Sequence, residues 1–185
     1  MNHSSIASVF DPSRRRWLLE SGMAAGALVL QSTSAHASPA GEISRTAEAI
    51  HQEVTFNAKP ERIYNVLTDA ASFQKVETLS DAMQSLDIVG HPAKISRDTG
   101  GPFSLFADYI VGRQIELIAN QRIVQAWRVA RWDPGIFSIA RFELTPVDAG
   151  TKLVFDHTGF PVGEAEHLAS GWYAHYWDPL RKFLG

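Results

Sequence analysis

The segment GEAEHLASGWYAHYWDPLRKFLG, which ends the chain, places the strongest constraint on the fold. Leu168, Trp172, His175, Tyr176, Pro179 or Leu180, and Phe183 recur at spacings of three and four. That spacing puts them on one stripe of a helix of about 20 residues. So much aromatic surface has to be covered, and a long helix with a wide apolar stripe is suited to lie on a sheet. Pro179 interrupts the pattern, because proline lacks an N–H and its ring meets the preceding turn. A kink is expected there, with Asp178 capping a restarted last turn.

The residues ahead of this helix supply the sheet. AIHQEVTFNA alternates, with Ile50, Val54 and Phe56 on one face and His51, Glu53 and Thr55 on the other, and reads as a first strand. KPERIYNVLTD reads as a helix opened by Pro60, with Ile63, Tyr64, Val66 and Leu67 as its apolar stripe. A second short helix is predicted over 71–76, and short strand material over 83–89 and 93–96. The cluster from Asp98 to Pro102 breaks any helix. FSLFADYIV and RQIELIA form one long strand or two, with Gly112 as a candidate bulge. RIVQAWRVA, SIARFELTPV and TKLVFDHTGF follow as strands separated by the turns WDPG and DAG. Ala140, Phe142 and Leu144 share one face, as do Leu153, Phe155 and His157. Strands joined by short turns argue for an antiparallel meander in an α+β fold.

The N-terminal region has a different character. SRRRWLLESGMAAGALVLQSTSAHA places three arginines before an apolar run and then small residues. The run from Trp17 to Leu30 is 14 residues and includes Glu20, Ser21 and two glycines. A membrane-spanning helix needs about 20 mostly apolar residues, so a permanent span is not expected. Three arginines alone suit a solvated patch or a nucleic-acid-binding arm, but neither explains the apolar run and the A-x-A of Ala35-His36-Ala37. The order of parts is that of a cleaved export signal. Ser13, Arg14, Arg15, Trp17 and Leu18 resemble the twin-arginine signal, with Leu19 where a Lys is often found. That resemblance implies transient contact with the export machinery, cleavage after Ala37 and a periplasmic location. The expected organisation is a signal over 1–37, a flexible leader over 38–46 and one domain over 47–185.

Removing the signal leaves 148 residues, enough for one domain with a substantial core. This part carries 14 basic and 18 acidic residues, a formal charge of −4, and offers no electrostatic reason to bind nucleic acid or anionic lipid. The chain has no cysteine, which excludes a disulfide framework and thiolate chemistry.

Taken in order, the elements are a strand, two short helices, a run of antiparallel strands and a long closing helix. With KPERIYNVLTD, GGPF, IELIANQRIVQAW, FELTPVDAGTKLVFDHTGFP and GWYAHYWDPLRKFL, the chain resembles the SRPBCC or START-like superfamily, the helix-grip (Bet v 1-like) fold. Within it, the chain resembles the family named for the activator of the heat-shock-chaperone ATPase, over about Ala49 to Leu184. The resemblance implies a curved sheet wrapped around the long helix, with a cavity between them. In relatives that cavity takes lipids, steroids or other apolar molecules, and some relatives are cyclases or aromatases.

The candidate cavity residues are Trp127, Phe142, Phe155, His157, Trp172, His175 and Tyr176, an apolar set with three polar groups. The same aromatics could equally fill an ordinary core. Asp156 and His157 face opposite ways on a strand and do not form a pair. His157 has the titration range of a general base, although a structural hydrogen bond at the cavity mouth is the simpler role. His167 and His175 are two helical turns apart, about 12 Å along the axis, too far to share a metal ion. No G-x-S-x-G elbow and no phosphate-binding loop is present. No cofactor or metal is expected. Three functions remain: a binder of a small apolar molecule, a cyclase- or hydratase-like enzyme using His157, His175 or Tyr176 as acid or base, and a chaperone-activating partner protein. The chaperone and its ATP are cytoplasmic, so export argues against the third.

Overall fold

A computed structural model describes residues 47–83 and 90–185. The predicted signal, its Arg14, Arg15, Ala35 and Ala37, the leader and the predicted strand material over 84–89 lie outside the described residues. Seven strands form one antiparallel sheet: β1 (Ala47–Phe56), β2 (Lys94–Ile95), β3 (Pro102–Leu105), β4 (Ile110–Ile118), β5 (Arg122–Val129), β6 (Ser138–Val147) and β7 (Gly150–Pro161). Their order is β1-β7-β6-β5-β4-β3-β2. The run from β2 to β7 is the expected meander, and β1 pairs with β7 at its end. The chain passes from one edge of the sheet to the other through α1 (Pro60–Thr68) and α2 (Ala70–Thr78).

Local sequence accounts for these elements. Along β1, Ile50, Gln52, Val54 and Phe56 are buried while His51, Glu53 and Thr55 face solvent, the period of two of a half-buried strand. Pro60 occupies the first turn of α1, and Ile63, Tyr64, Val66 and Leu67 are buried beneath it. Asp69 starts α2 by accepting the Ser72 N–H at 2.8 Å, which satisfies one of the free donors of the first turn. That helix runs on past Val76, and its buried residues are Phe73, Val76 and Glu77. Met83 ends a short 3₁₀ turn begun at Asp81 rather than opening a strand.

The region 103–118 is two strands, and the break falls at Phe106, Ala107 and Asp108, not at Gly112. These three residues have φ of 53°, 54° and 64°, a left-handed run that L-residues rarely adopt. The register shift in β4 lies between Gln114 and Glu116. Gly112 is required for a different reason: a Cβ there would sit 2.1 Å from the Ala126 carbonyl oxygen and 2.4 Å from the Phe103 ring.

The closing helix covers α3 (Ala165–Trp172), a π turn over Tyr173–Trp177 and α4 (Asp178–Leu184). It does not restart at Asp178. That residue has helical angles, its N–H reaches back five residues to the Tyr173 carbonyl, and its carboxylate accepts from Arg181 at 2.8 Å. The widened turn directly precedes Pro179, whose missing N–H and bulky ring a regular α turn does not accommodate. Widening also rotates the apolar stripe. Leu168, Trp172, Tyr176, Trp177, Leu180 and Leu184 are buried, whereas His175 and Phe183 are only half-buried. Arg62 of α1 donates to the Leu184 carbonyl at 3.0 Å, satisfying one of the acceptors left free at a helix end.

Candidate functional site

The core between sheet and closing helix is aromatic. Trp172 lies 4.2 Å from Phe155 between ring centroids and 5.7 Å from Trp177, with which it is stacked. Phe142 packs edge-on to both Trp172 and Trp177. Gln52 is buried among these rings. It accepts the Trp177 Nε1–H at 2.6 Å and donates to the Ala169 carbonyl at 3.0 Å, so one side chain of β1 holds two points of the closing helix.

His157 is fully buried and bonded at both ring nitrogens. Its Nδ1 is 3.0 Å from Trp172 Nε1, and its Nε2 is 2.7 Å from Ser138 Oγ. An indole N–H can only donate, so Nδ1 accepts and the ring proton sits on Nε2. That proton goes to Ser138 Oγ, whose own proton goes to the Trp127 carbonyl at 2.9 Å. A chain of three bonds thus runs from the helix through β7 and β6 to β5. Burial pushes the His157 pKa down to about 3, so the ring is neutral and has no free lone pair for catalysis. Asp156 faces the other way and bonds His51 at 2.7 Å.

On the β4–β5 side of Trp172 the packing opens into a cavity of about 370 Å³. Trp127 and Val129 of β5 form one wall, Trp172, His175 and Tyr176 of the helix form the opposite wall, and Phe106 and Tyr109 close an end. Four of the seven predicted residues, Trp127, Trp172, His175 and Tyr176, therefore line one cavity. Phe142, Phe155 and His157 lie behind Trp172, whose indole fills the space between the helix and β6–β7. At the rim, Arg131 pairs with Glu164 at 2.7 Å and reaches the Tyr109 hydroxyl at 3.4 Å. This joins the strand side of the opening to the start of α3.

The polar groups of the cavity differ in state. Tyr176 is buried, and burial raises its phenol well above the ordinary range, so it stays protonated. Neither its hydroxyl nor the Trp127 Nε1–H makes a hydrogen bond of ordinary geometry, although their proximity partly offsets the effect of burial. His175 is half-buried. Burial first, and then the neighbouring His167, lower its pKa. Its Nδ1 is 3.0 Å from Ser80 Oγ. Among the described residues no three metal-ligating side chains come together, and no helix is long and apolar enough to cross a membrane.

Glu77 is a site residue that the sequence reading missed. It is fully buried, and one carboxylate oxygen accepts the Phe106 N–H at 2.6 Å, while the other has no partner. It thereby holds the left-handed turn that presents Phe106 to the cavity. Burial pushes its pKa up to about 7. A signal was present in the sequence: Phe73, Val76 and Glu77 are spaced as one helical stripe, which places the carboxylate on the buried face.

Comparison with known proteins agrees with this architecture. A human activator of the 90 kDa heat shock protein ATPase (homolog 1) is 26% identical over 131 residues, 71% of this chain and 35% of that protein. An uncharacterised Schizosaccharomyces pombe protein is 30% identical over 136 residues, 74% of this chain and 37% of that one. The chain thus spans little more than a third of the length of these relatives. The crystal structure of an HSP90 activator from Plasmodium falciparum superimposes with a TM-score of 0.61 at 26% identity, covering 76% of this chain and 96% of that one. The family model described as "Activator of Hsp90 ATPase homolog 1-like protein" matches residues 57–185, from the loop before α1 to the end of the closing helix. With the helix-grip sheet, the closing helix and this match together, the chain belongs to the activator of Hsp90 ATPase homolog 1-like family of the SRPBCC superfamily.

Proposed function

We propose that this protein is an exported helix-grip domain that holds a small apolar molecule between its sheet and its closing helix. The observation that carries the reading is the cavity of about 370 Å³, which falls in the range of small-molecule sites and is walled by aromatic and aliphatic side chains with a few polar groups. The order of basic, apolar and small residues at the N-terminus supports export to the periplasm. Native mass spectrometry of protein purified from the periplasm, followed by organic extraction, tests the reading: an apolar molecule is expected to copurify.

A catalytic version of this site would use His175, since His157 has both nitrogens engaged. Turnover of the copurifying molecule, lost in His175→Phe, would establish it.

The names of the relatives favour a second reading, in which the domain contacts a chaperone ATPase. The export signal opposes it, because that partner is cytoplasmic. Cell fractionation separates the two readings. Replacement of Arg14 and Arg15 by Lys is expected to leave precursor in the cytoplasm, whereas an uncut wild-type chain found there would favour the chaperone reading.

A further inference from the structure

His175 and His157 are held in opposite ways, and the difference bears on the ligand. Ser80 Oγ lies 3.2 Å from the Ala174 carbonyl and 3.0 Å from His175 Nδ1. A carbonyl can only accept, and a serine hydroxyl has one proton to give. Both contacts are hydrogen bonds only if Ser80 donates to Ala174 and accepts from Nδ1–H. The neutral ring then carries a lone pair on Nε2, at its other edge, and Nε2 has no hydrogen-bond partner among the described residues. His175 forms part of the cavity wall, and its lowered pKa keeps it neutral near pH 7. The ring is fixed from behind, so a ligand donor meets an acceptor already oriented.

We infer that the cavity selects apolar molecules that carry a hydroxyl group, whose O–H is donated to His175 Nε2. This rests on the small-molecule reading above and names the class of ligand for that site. A phenol or polycyclic alcohol satisfies Nε2. A hydrocarbon or methyl ether of the same shape leaves it unpaired in a largely apolar cavity, which is unfavourable.

The test uses 2-naphthol and 2-methoxynaphthalene with the purified protein, followed by ligand fluorescence. The expected result is about fivefold to tenfold tighter binding of the naphthol. That preference is lost in His175→Phe and reduced in Ser80→Ala, which frees the ring from its fixed tautomer. Nitrogen NMR of the imidazole is expected to show the proton on Nδ1. Equal binding of the two compounds, or a proton found on Nε2, overturns the inference while leaving the apolar cavity in place. Failure of both compounds to bind overturns the small-molecule reading itself, and this inference with it.

Discussion

His157 Nδ1 accepts the Trp172 indole N–H at 3.0 Å, and this one bond ties the last strand to the closing helix inside the aromatic core. The ring's other nitrogen passes the link through Ser138 to the Trp127 carbonyl. His157→Leu leaves the Trp172 N–H unpaired and Ser138 without its imidazole partner. An unsatisfied buried group costs about 1–3 kcal/mol, so a loss of about 2–4 kcal/mol is expected in urea unfolding. His157→Gln, which retains a donor and an acceptor, should lose less. Equal losses in the two variants would argue that packing, not hydrogen bonding, sets the role of this residue.

Two buried groups give stability opposite pH dependences. Glu77 has its folded pKa raised from 4.5 to about 7. Its contribution is complete below pH 4.5 and is lost as the pH rises through 7. His157 has its folded pKa lowered from 6.5 to about 3. Its contribution is present above pH 6.5 and is lost as the pH falls toward 3. The lowered pKa of His175 acts in the same sense as that of His157. Between pH 4.5 and 6.5 the Glu77 slope opposes that of His157, these two groups each contributing about 1.4 kcal/mol per pH unit. Glu77→Gln removes the opposing slope. Its stability relative to the wild type should rise by about 3 kcal/mol from pH 4.5 to 7, measured by denaturant titration at several pH values. A constant difference across that range would contradict the buried, protonated state of Glu77.

Gly171 is a helical position in the cavity wall where an added Cβ meets only His175 Cδ2, at 3.7 Å. Gly171→Ala should therefore stabilise the fold by about 0.5–1 kcal/mol through helix propensity and leave most of the cavity open. Gly171→Leu should fold and fail to bind the ligand, because its side chain occupies the cavity. Thermal melts and probe binding on the pair check both statements.

The β4 glycine behaves differently. In Gly112→Ala the new methyl group would overlap the Ala126 carbonyl and the Phe103 ring. The strands must separate or Phe103 must leave its position, and a loss of about 1–3 kcal/mol or more is expected in urea unfolding. A neutral result would place the strands further apart than the structure has them.

These contrasts show where the sequence was legible. The alternation in β1, β6 and β7 predicted their buried faces residue by residue, because a strand has only two faces and most of the large apolar residues alternate onto one of them. Most of the stripe of the closing helix was legible: Leu168, Trp172, Tyr176 and Leu180 are buried as their spacing implies. The π turn advanced the buried face within it, so Trp177 and Leu184 are buried where His175 and Phe183 were expected. Pro179 signalled an irregularity, but the wheel of a regular helix has no place for a five-residue hydrogen bond. The break at Phe106 to Asp108 was hidden because none of the three is a glycine. The carboxylate that holds this turn comes from a helix 29 residues earlier in the chain, a tertiary dependence that local pattern does not carry. The cavity followed the same logic. Its aromatic residues were legible, but Trp172 stands between those that line the open space and those that do not, and its indole N–H is held by His157.

On the proposed reading, the space beside Trp172 holds a small apolar molecule. Native mass spectrometry on wild-type and Gly171→Leu protein, purified side by side, decides it. A wild-type species heavier than the polypeptide by the mass of an extractable apolar compound is expected, with a Gly171→Leu species at the mass of the polypeptide alone. Wild-type protein that is always empty and takes up no apolar compound on incubation would contradict it.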